Sequence, residues 1–164
     1  MALDMFMNMG SIKGETGDEE RGKQGDISVL AWSWGMNQSG TSHKGKGSGG
    51  GKASFQDLSF TKYIDSATNA LMTALAAGTH LDKVELRVRK AGKGQQTYLM
   101  ITMEQVLVTS ISTGGSGGED LLTENITLNF AEVEVVYSPQ DEKGTVAGDK
   151  TFYYNIAGNS EVKK

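Results

Sequence analysis

The chain has 164 residues, 37% hydrophobic and 22% charged, which supplies one packed core and reads as a single domain over 1–164. A formal net charge of -4, with no lysines interleaved among aromatics, argues against a nucleic-acid binder, because gripping phosphates needs a basic face. The absence of cysteine excludes disulfides and thiolate zinc sites, no apolar run reaches membrane-spanning length, and MALDMFMNMG lacks the marks of a signal peptide.

Leu3, Met5, Met7 and Met9 alternate with Asp4, Phe6 and Asn8, the pattern of a half-buried opening strand. Methionine fills core gaps as readily as it makes interfaces, and the core is the favoured reading. Between Lys13 and Gly25 the acidic Glu15, Asp18, Glu19 and Glu20 are punctuated by glycines, which predicts a solvated loop. Next comes the stretch from Asp26 to Tyr63, a strand, a long glycine loop and a second strand, and the rest of the chain is organised around it. In its first strand Leu30, Trp32, Trp34 and Met36 alternate with Val29, Ala31, Ser33 and Gly35. Two tryptophans on one face call for burial, so Ala31, Ser33 and Gly35 form a smooth outward wall. The loop 40–52 holds Gly40, Gly45, Gly47, Gly49, Gly50 and Gly51 with Lys44, Lys46 and Lys52, and it is predicted to project from the body. In the second strand, Phe55, Leu58, Phe60 and Tyr63 fall imperfectly on two faces, which fits a bulge.

One segment reads as a helix. Asp65 or Ser66 can cap it, Ala67, Leu71 and Leu75 share one side, and Gly78 stands where a left-handed cap is wanted. No charged residue lies between Ser66 and Thr79. The neutral Thr68, Asn69, Thr73 and Ala76 therefore face either a groove of their own domain or another subunit. Beyond the helix, Val84, Leu86 and Val88 open a hairpin that turns at Gly92-Lys93-Gly94. Its partner strand changes phase near Glu104 and Gln105, from Leu99, Ile101 and Met103 to Val106 and Val108. A second long strand changes phase between Phe130 and Val133. Such slips mark strands that bend from one sheet into another, so the fold class is mainly β: a compact barrel of two antiparallel sheets with one short α-helix at its side. Thr151 to Ile156 forms the last strand, and 157–164 is a flexible tail.

Catalytic motifs arise here from glycine content and fail on context. Gly45, Gly47 and Gly50 satisfy G-x-G-x-x-G but lead into the strand-like ASFQDLSF rather than a helix. Gly51-Lys52 lacks the flanking residues of a Walker A loop. Gly114, Ser116 and Gly118 spell G-x-S-x-G, yet both histidines, His43 and His80, precede that serine, whereas a hydrolase of that type needs its histidine last. Glu119, Asp120 and Glu124 beside the glycine turn read as solvated carboxylates. No catalytic residue, metal or cofactor is expected.

VLAWSWGM, the loop closing on GKASFQDLSFTKYID, the hairpin ELRVRKAG, the stretch VLVTSISTGGSGGEDLLTENITLNFAEVEV and the final SPQ together resemble the Hcp family, the haemolysin-coregulated proteins of the bacterial type VI secretion system. The resemblance runs from LDMF to YYNI and departs at Phe152, Tyr153 and Tyr154, where many relatives carry a tryptophan, and in the loop, which here carries Lys44 and Lys46 among its glycines. It implies a barrel that assembles into six-membered rings, stacked into a tube. A contractile sheath on a baseplate drives the tube outward behind a VgrG spike, and small effector proteins travel inside. It also implies synthesis in the cytoplasm and secretion without a signal peptide, with no nucleic acid and no membrane insertion.

Joined to the residue pattern, this assigns ring stacking to Gly40, Lys44, Lys46, Gly47, Gly49, Gly50, Gly51 and Lys52, meeting Glu15, Asp18, Glu19 and Glu20 of the next ring. It assigns the lumen to Ala31, Ser33 and Gly35, and the joint between subunits to Thr68, Asn69, Thr73 and Ala76. The competing class is a monomeric β-barrel that binds a small ligand such as a sugar, which calls for a concave polar pocket.

Overall fold

A computed structural model describes residues 3–40, 51–90, 94–140 and 148–161. The opening strand β1 (Leu3–Asn8) is followed by a short helix α1 (Glu19–Gln24) and three short strands, β2 (Ile27–Ser28), β3 (Ala31–Ser33) and β4 (Met36–Asn37). After the loop come β5 (Ser54–Phe55), β6 (Leu58–Tyr63) and the main helix α2 (Ala67–Ala77). The long strands β7 (His80–Lys90) and β8 (Thr97–Thr113) precede β9 (Thr123–Asn129), β10 (Glu132–Tyr137) and β11 (Lys150–Asn155).

Among the described residues, nine strands form one antiparallel sheet in the order β2-β1-β7-β8-β9-β6-β3, with β10 branching from β8 and carrying β11, while β4 and β5 make a separate two-stranded ribbon. The ends of the main path, β2 and β3, are separated only by Val29 and Leu30. The Val29 N–H donates to Met5 O at 2.9 Å and the Leu30 N–H to Thr61 O at 2.8 Å, so the chain itself joins the two edges of the curled sheet. Inside lie Phe60, Leu86, Ile101, Met103, Ile126 and Leu128, each at most 2% exposed. At about 1.5–3 kcal/mol for each large apolar side chain, this burial is the main force holding the curl.

The predicted phase change in β8 is present, and its cause is local. Gln105 takes a left-handed φ of 54°. Buried positions shift phase at the same rung in both strands of the hairpin: Val84 and Met103 pair on one side, Leu81 and Val106 on the other. The second long strand of the sequence reading is two strands. β10 pairs with the first half of β8, β9 with the second half, and the Ala131 N–H between them bonds to Glu104 O at 3.1 Å. One strand of 17 residues therefore serves both parts of the bent sheet.

Three expectations are corrected. The acidic stretch is not simply a loop: Asp18 Oδ1 accepts from the N–H of Glu20 and Arg21 to start α1, and Gly25, with φ 73°, ends it. The alternation through the tryptophans breaks into three short strands, with Trp32 and Trp34 half-buried but Leu30 and Met36 exposed. Part of the tail is tied down as well: Asn155 and Ser160 exchange backbone bonds of 2.8 and 3.1 Å, and the Ile156 N–H reaches Ala131 O at 2.8 Å.

Around α2, Asp65 does the capping, accepting from the Ala67 N–H at 2.9 Å, and Gly78 closes the helix at φ 63°.

Because exposed Gln105 is held left-handed, Gln105→Gly is expected to leave stability unchanged or raise it by up to about 1 kcal/mol, while Gln105→Ile lowers it by about 1–2 kcal/mol in urea unfolding. Equal stability of the two variants would contradict the backbone assignment.

Candidate functional site

The outer surface of the sheet divides by charge. On β3, β6, β9 and the second half of β8, the positions facing away from the core include Ala31, Ser33, Ser59, Thr61, Asn125, Thr127, Asn129, Ser110 and Ser112, in register across neighbouring strands. None is charged. They bond to one another: Thr61 Oγ1 donates to Asn125 Oδ1 at 2.6 Å, Thr127 Oγ1 to Ser110 Oγ at 2.9 Å, and Thr109 and Thr127 hydroxyls lie 2.7 Å apart. At the margin Asp57 accepts from Thr109 at 2.7 Å and from Asn129 at 2.9 Å, so both of its oxygens are engaged. The result is a flat surface of hydroxyls and amides whose hydrogen bonds are largely internal.

The other half of the outer surface, on β7, the start of β8 and β10, carries Lys83, Glu85, Arg87, Glu104, Glu132 and Glu134. Burial raises the pKa of Glu85, but Lys83 and Arg87, each at 2.8 Å, outweigh it and hold the carboxyl below its ordinary range. Tyr153 donates to Glu132 at 2.8 Å, and partial burial together with the surrounding glutamates pushes its pKa up to about 12. A small cavity of about 20 Å³ lies here, beside Thr102, Glu104, Glu132, Val133, Glu134 and Tyr153, too small for a sugar. Open surface depressions of about 310–360 Å³ lie elsewhere. Four aromatic rings stack in a row: Trp34 on Phe55, Phe55 on Tyr154 and Tyr154 on Phe152, with centroids 5.0–6.4 Å apart.

Of the lumen residues expected from sequence, Ala31 and Ser33 lie on the neutral face, opposite Thr61 and Ser59. Gly35 lies beyond it, where the chain crosses to the ribbon and its carbonyl accepts the Gln56 N–H at 2.9 Å. Among the subunit-contact residues, Asn69, Thr73 and Ala76 are exposed, but Thr68 is corrected to the interior, 5% exposed. Among the stacking residues, Lys44, Lys46, Gly47, Gly49 and Gly50 lie outside the described residues. Gly40, Gly51 and Lys52 flank the ribbon, and Glu15, Glu19 and Glu20 are exposed. Asp18 serves its own chain, capping α1 and pairing with the buried Arg89, which lies 4.7 Å from the Phe6 ring centre. The G-x-S-x-G motif occupies the turn between antiparallel β8 and β9, and exposed His80 opens β7.

A buried ionic node escapes the sequence reading. Lys62 and Glu124 are both 0% exposed and meet at 2.5 Å. Lys62 Nζ also reaches Asp65 Oδ1 and Tyr63 O at 2.8 Å, and Thr68 Oγ1 donates to Glu124 Oε1 at 2.8 Å. Glu124, expected to be solvated, is therefore corrected to the core. A signal exists in the sequence, since Lys62 is in phase with Leu58 and Phe60, and Glu124 with Ile126 and Leu128. Removing one partner alone costs about 3–5 kcal/mol in such pairs. The hydroxyls and amides of the neutral face escape it as well; they are the alternate positions of LSFTKY and TENITLN.

Residues 6–137 match the model of the family described as "Type VI secretion system effector, Hcp". The chain belongs to the Hcp family. It is 54% identical to protein hcp1 of Pseudomonas aeruginosa, over 99% of this chain and all of that one. Its fold is similar to a solved type six secretion system protein, with a TM-score of 0.89 at 28% identity over 97% of this chain and 99% of the other. Hcp1 from Salmonella typhimurium is similar at a TM-score of 0.80 and 33% identity, over 99% of this chain and all of that one. These matches place the chain among the Hcp proteins of type VI secretion.

In this Hcp chain the Arg21 N–H, opposed by some desolvation and helped by the Arg89 guanidinium, holds Asp18 below the ordinary carboxylate range. A lowered pKa means its stabilisation is complete above about pH 4 and is lost as pH falls through the lowered value. Asp18→Ala is expected to cost about 1–2 kcal/mol at neutral pH, with the difference from the native chain closing as pH falls below about 4. A difference independent of pH in unfolding titrations would contradict the pairing.

Proposed function

We propose that this Hcp chain is a structural subunit that closes into six-membered rings, that the rings stack into the tube of a type VI secretion system, and that the neutral face of β3, β6, β9 and β8 lines the channel. The observation that carries this reading is the division of the outer surface. A charge on a channel wall is repeated by every subunit and builds a field that attracts or repels whatever passes. A wall of hydroxyls and amides bonded to each other offers passing proteins neither fixed charge nor a large apolar patch, and so suits cargo of varied composition.

Ring closure needs two different patches meeting at each joint. The exposed side of α2, with Asn69, Thr73 and Ala76, is one candidate, and it lacks the charges a solvated helix face usually carries. Stacking is assigned to the loop 40–52, with Lys52 at its foot and Lys44 and Lys46 within it, meeting Glu15, Glu19 and Glu20 of the next ring. The sheath, baseplate and VgrG spike are the partners that this role implies, along with small effectors. The chain is made in the cytoplasm and leaves through that machinery, and its role is mechanical rather than catalytic.

Three outcomes test this. Native mass measurement is expected to find a species of six times the 17.5 kDa subunit mass, visible as rings in negative stain, and a lone subunit at high concentration would refute it. Ser33→Gln and Ser33→Glu are expected to leave rings intact while blocking cargo, whereas loss of ring assembly would place Ser33 at a joint instead. Stacking is expected to weaken with added salt, since exposed ion pairs are worth about 0–1 kcal/mol each and are screened. Stacking that strengthened with salt would remove the lysine assignment.

A further inference from the structure

We infer that Lys62 and Glu124 are positioning residues that select the pairing register of β6 on β9, and with it the make-up of the neutral face. The inference takes its biological meaning from the tube reading, but its test does not depend on assembly. Lys62 stands directly opposite Glu124 in the antiparallel pair. A slip of one residue would turn every side chain to the wrong face and is opposed by the whole core. A slip of two residues keeps each side chain on its own face, and the sequence resists it poorly. Moved in one direction, Leu58 and Phe60 meet Phe130 and Leu128, while Ser59 and Thr61 meet Asn129 and Thr127, so apolar still meets apolar and polar meets polar.

The ion pair breaks this near-equivalence. After a slip of two, Lys62 faces Ile126 or Leu122, and Glu124 faces Ile64 or Phe60. Glu124 has little else to rely on. Its Oε2 is buried with no hydrogen-bond partner among the described residues, so the contacts that satisfy it, from Lys62 and Thr68, fall on Oε1. The surface bonds Thr61 to Asn125 and Asp57 to Asn129 also favour the native register, but they lie in the exposed layer, where water replaces a lost partner. A buried pair discriminates more sharply, although replacing both charges by apolar groups of similar volume is often neutral for stability. Since β3 is tied to β2 through Val29 and Leu30, a slipped β6 would lose its register with Ala31 and Ser33 by about 7 Å, turning a flat wall into a stepped one.

The native chain has no cysteine, so an introduced pair reports register cleanly. Ser59→Cys/Thr127→Cys tests the native register, and Ser59→Cys/Asn129→Cys and Ser59→Cys/Asn125→Cys test the two slipped ones, each scored as an intrachain disulfide by mass spectrometry after mild oxidation. With Lys62 and Glu124 in place, the first pair is expected to oxidise far faster than the other two. In the Lys62→Met/Glu124→Leu background the chain is expected to fold with a melting temperature near the native one while that preference disappears. Two results overturn the inference: a folded double variant that keeps the preference, or a double variant that fails to fold, which would make the pair a source of stability instead. Because the disulfide forms within one chain, absence of rings would count against the tube reading and leave this result intact.

Discussion

One constraint organises this molecule: an antiparallel sheet with a single core can bury only one of its two faces. Every strand must alternate, and what the outward positions carry is free to serve something other than folding. Here the inward set, from Met7 through Leu86, Met103 and Ile126 to Val133, is continuous and almost wholly excluded from water. The outward set is sorted, with charges on β7 and β10 and hydroxyls and amides on β6 and β9. Folding requires only that the outer face be polar. It does not require the two kinds of polarity to be kept apart, and the proposed channel role is a reason for their separation.

The bends have a common origin. Gln105 in a left-handed conformation lets β8 exchange its inward and outward faces partway along, and the break at Phe130 and Ala131 lets the β9–β10 segment leave one half of β8 and rejoin it at the other. The same strand thus borders the neutral surface in its second half and the charged surface in its first. A few local features convert one sheet into a curled body with two distinct exteriors. The joining of β2 to β3 through Val29 and Leu30 then ties the two edges of the curl together.

Much of this is legible in the order of residues. Alternation in β1, β7 and β9 marks strands and their buried sides, the cap residues bracket α2, and the changes of phase at Gln105 and after Phe130 foretell the bends. What escapes are features that depend on partners distant in sequence. Asp18 reads locally as a solvated acid, but its role depends on Arg89, which arrives through the pairing of β1 with β7. Thr68 reads as a surface position of α2, yet it turns inward to a lysine and a glutamate from two strands. Glu124 resembles a loop carboxylate because it lies just beyond a glycine turn, although its phase with Ile126 already places it inside. Short-range pattern finds elements and faces, whereas buried polar groups arise from tertiary pairing, and the period of two flags them only when a charge is found in phase with the core.

The claim that the neutral face is enclosed when subunits assemble is open to direct measurement by reagent size. A single cysteine at Thr127, in a chain that otherwise has none, can be offered a small maleimide and a bulky polyethylene glycol maleimide, with the assembled protein and with dissociated subunits. If the face is enclosed, the small reagent labels both forms while the bulky one labels only dissociated subunits. Equal labelling of the assembled form by the bulky reagent would place this face on the outside and contradict it.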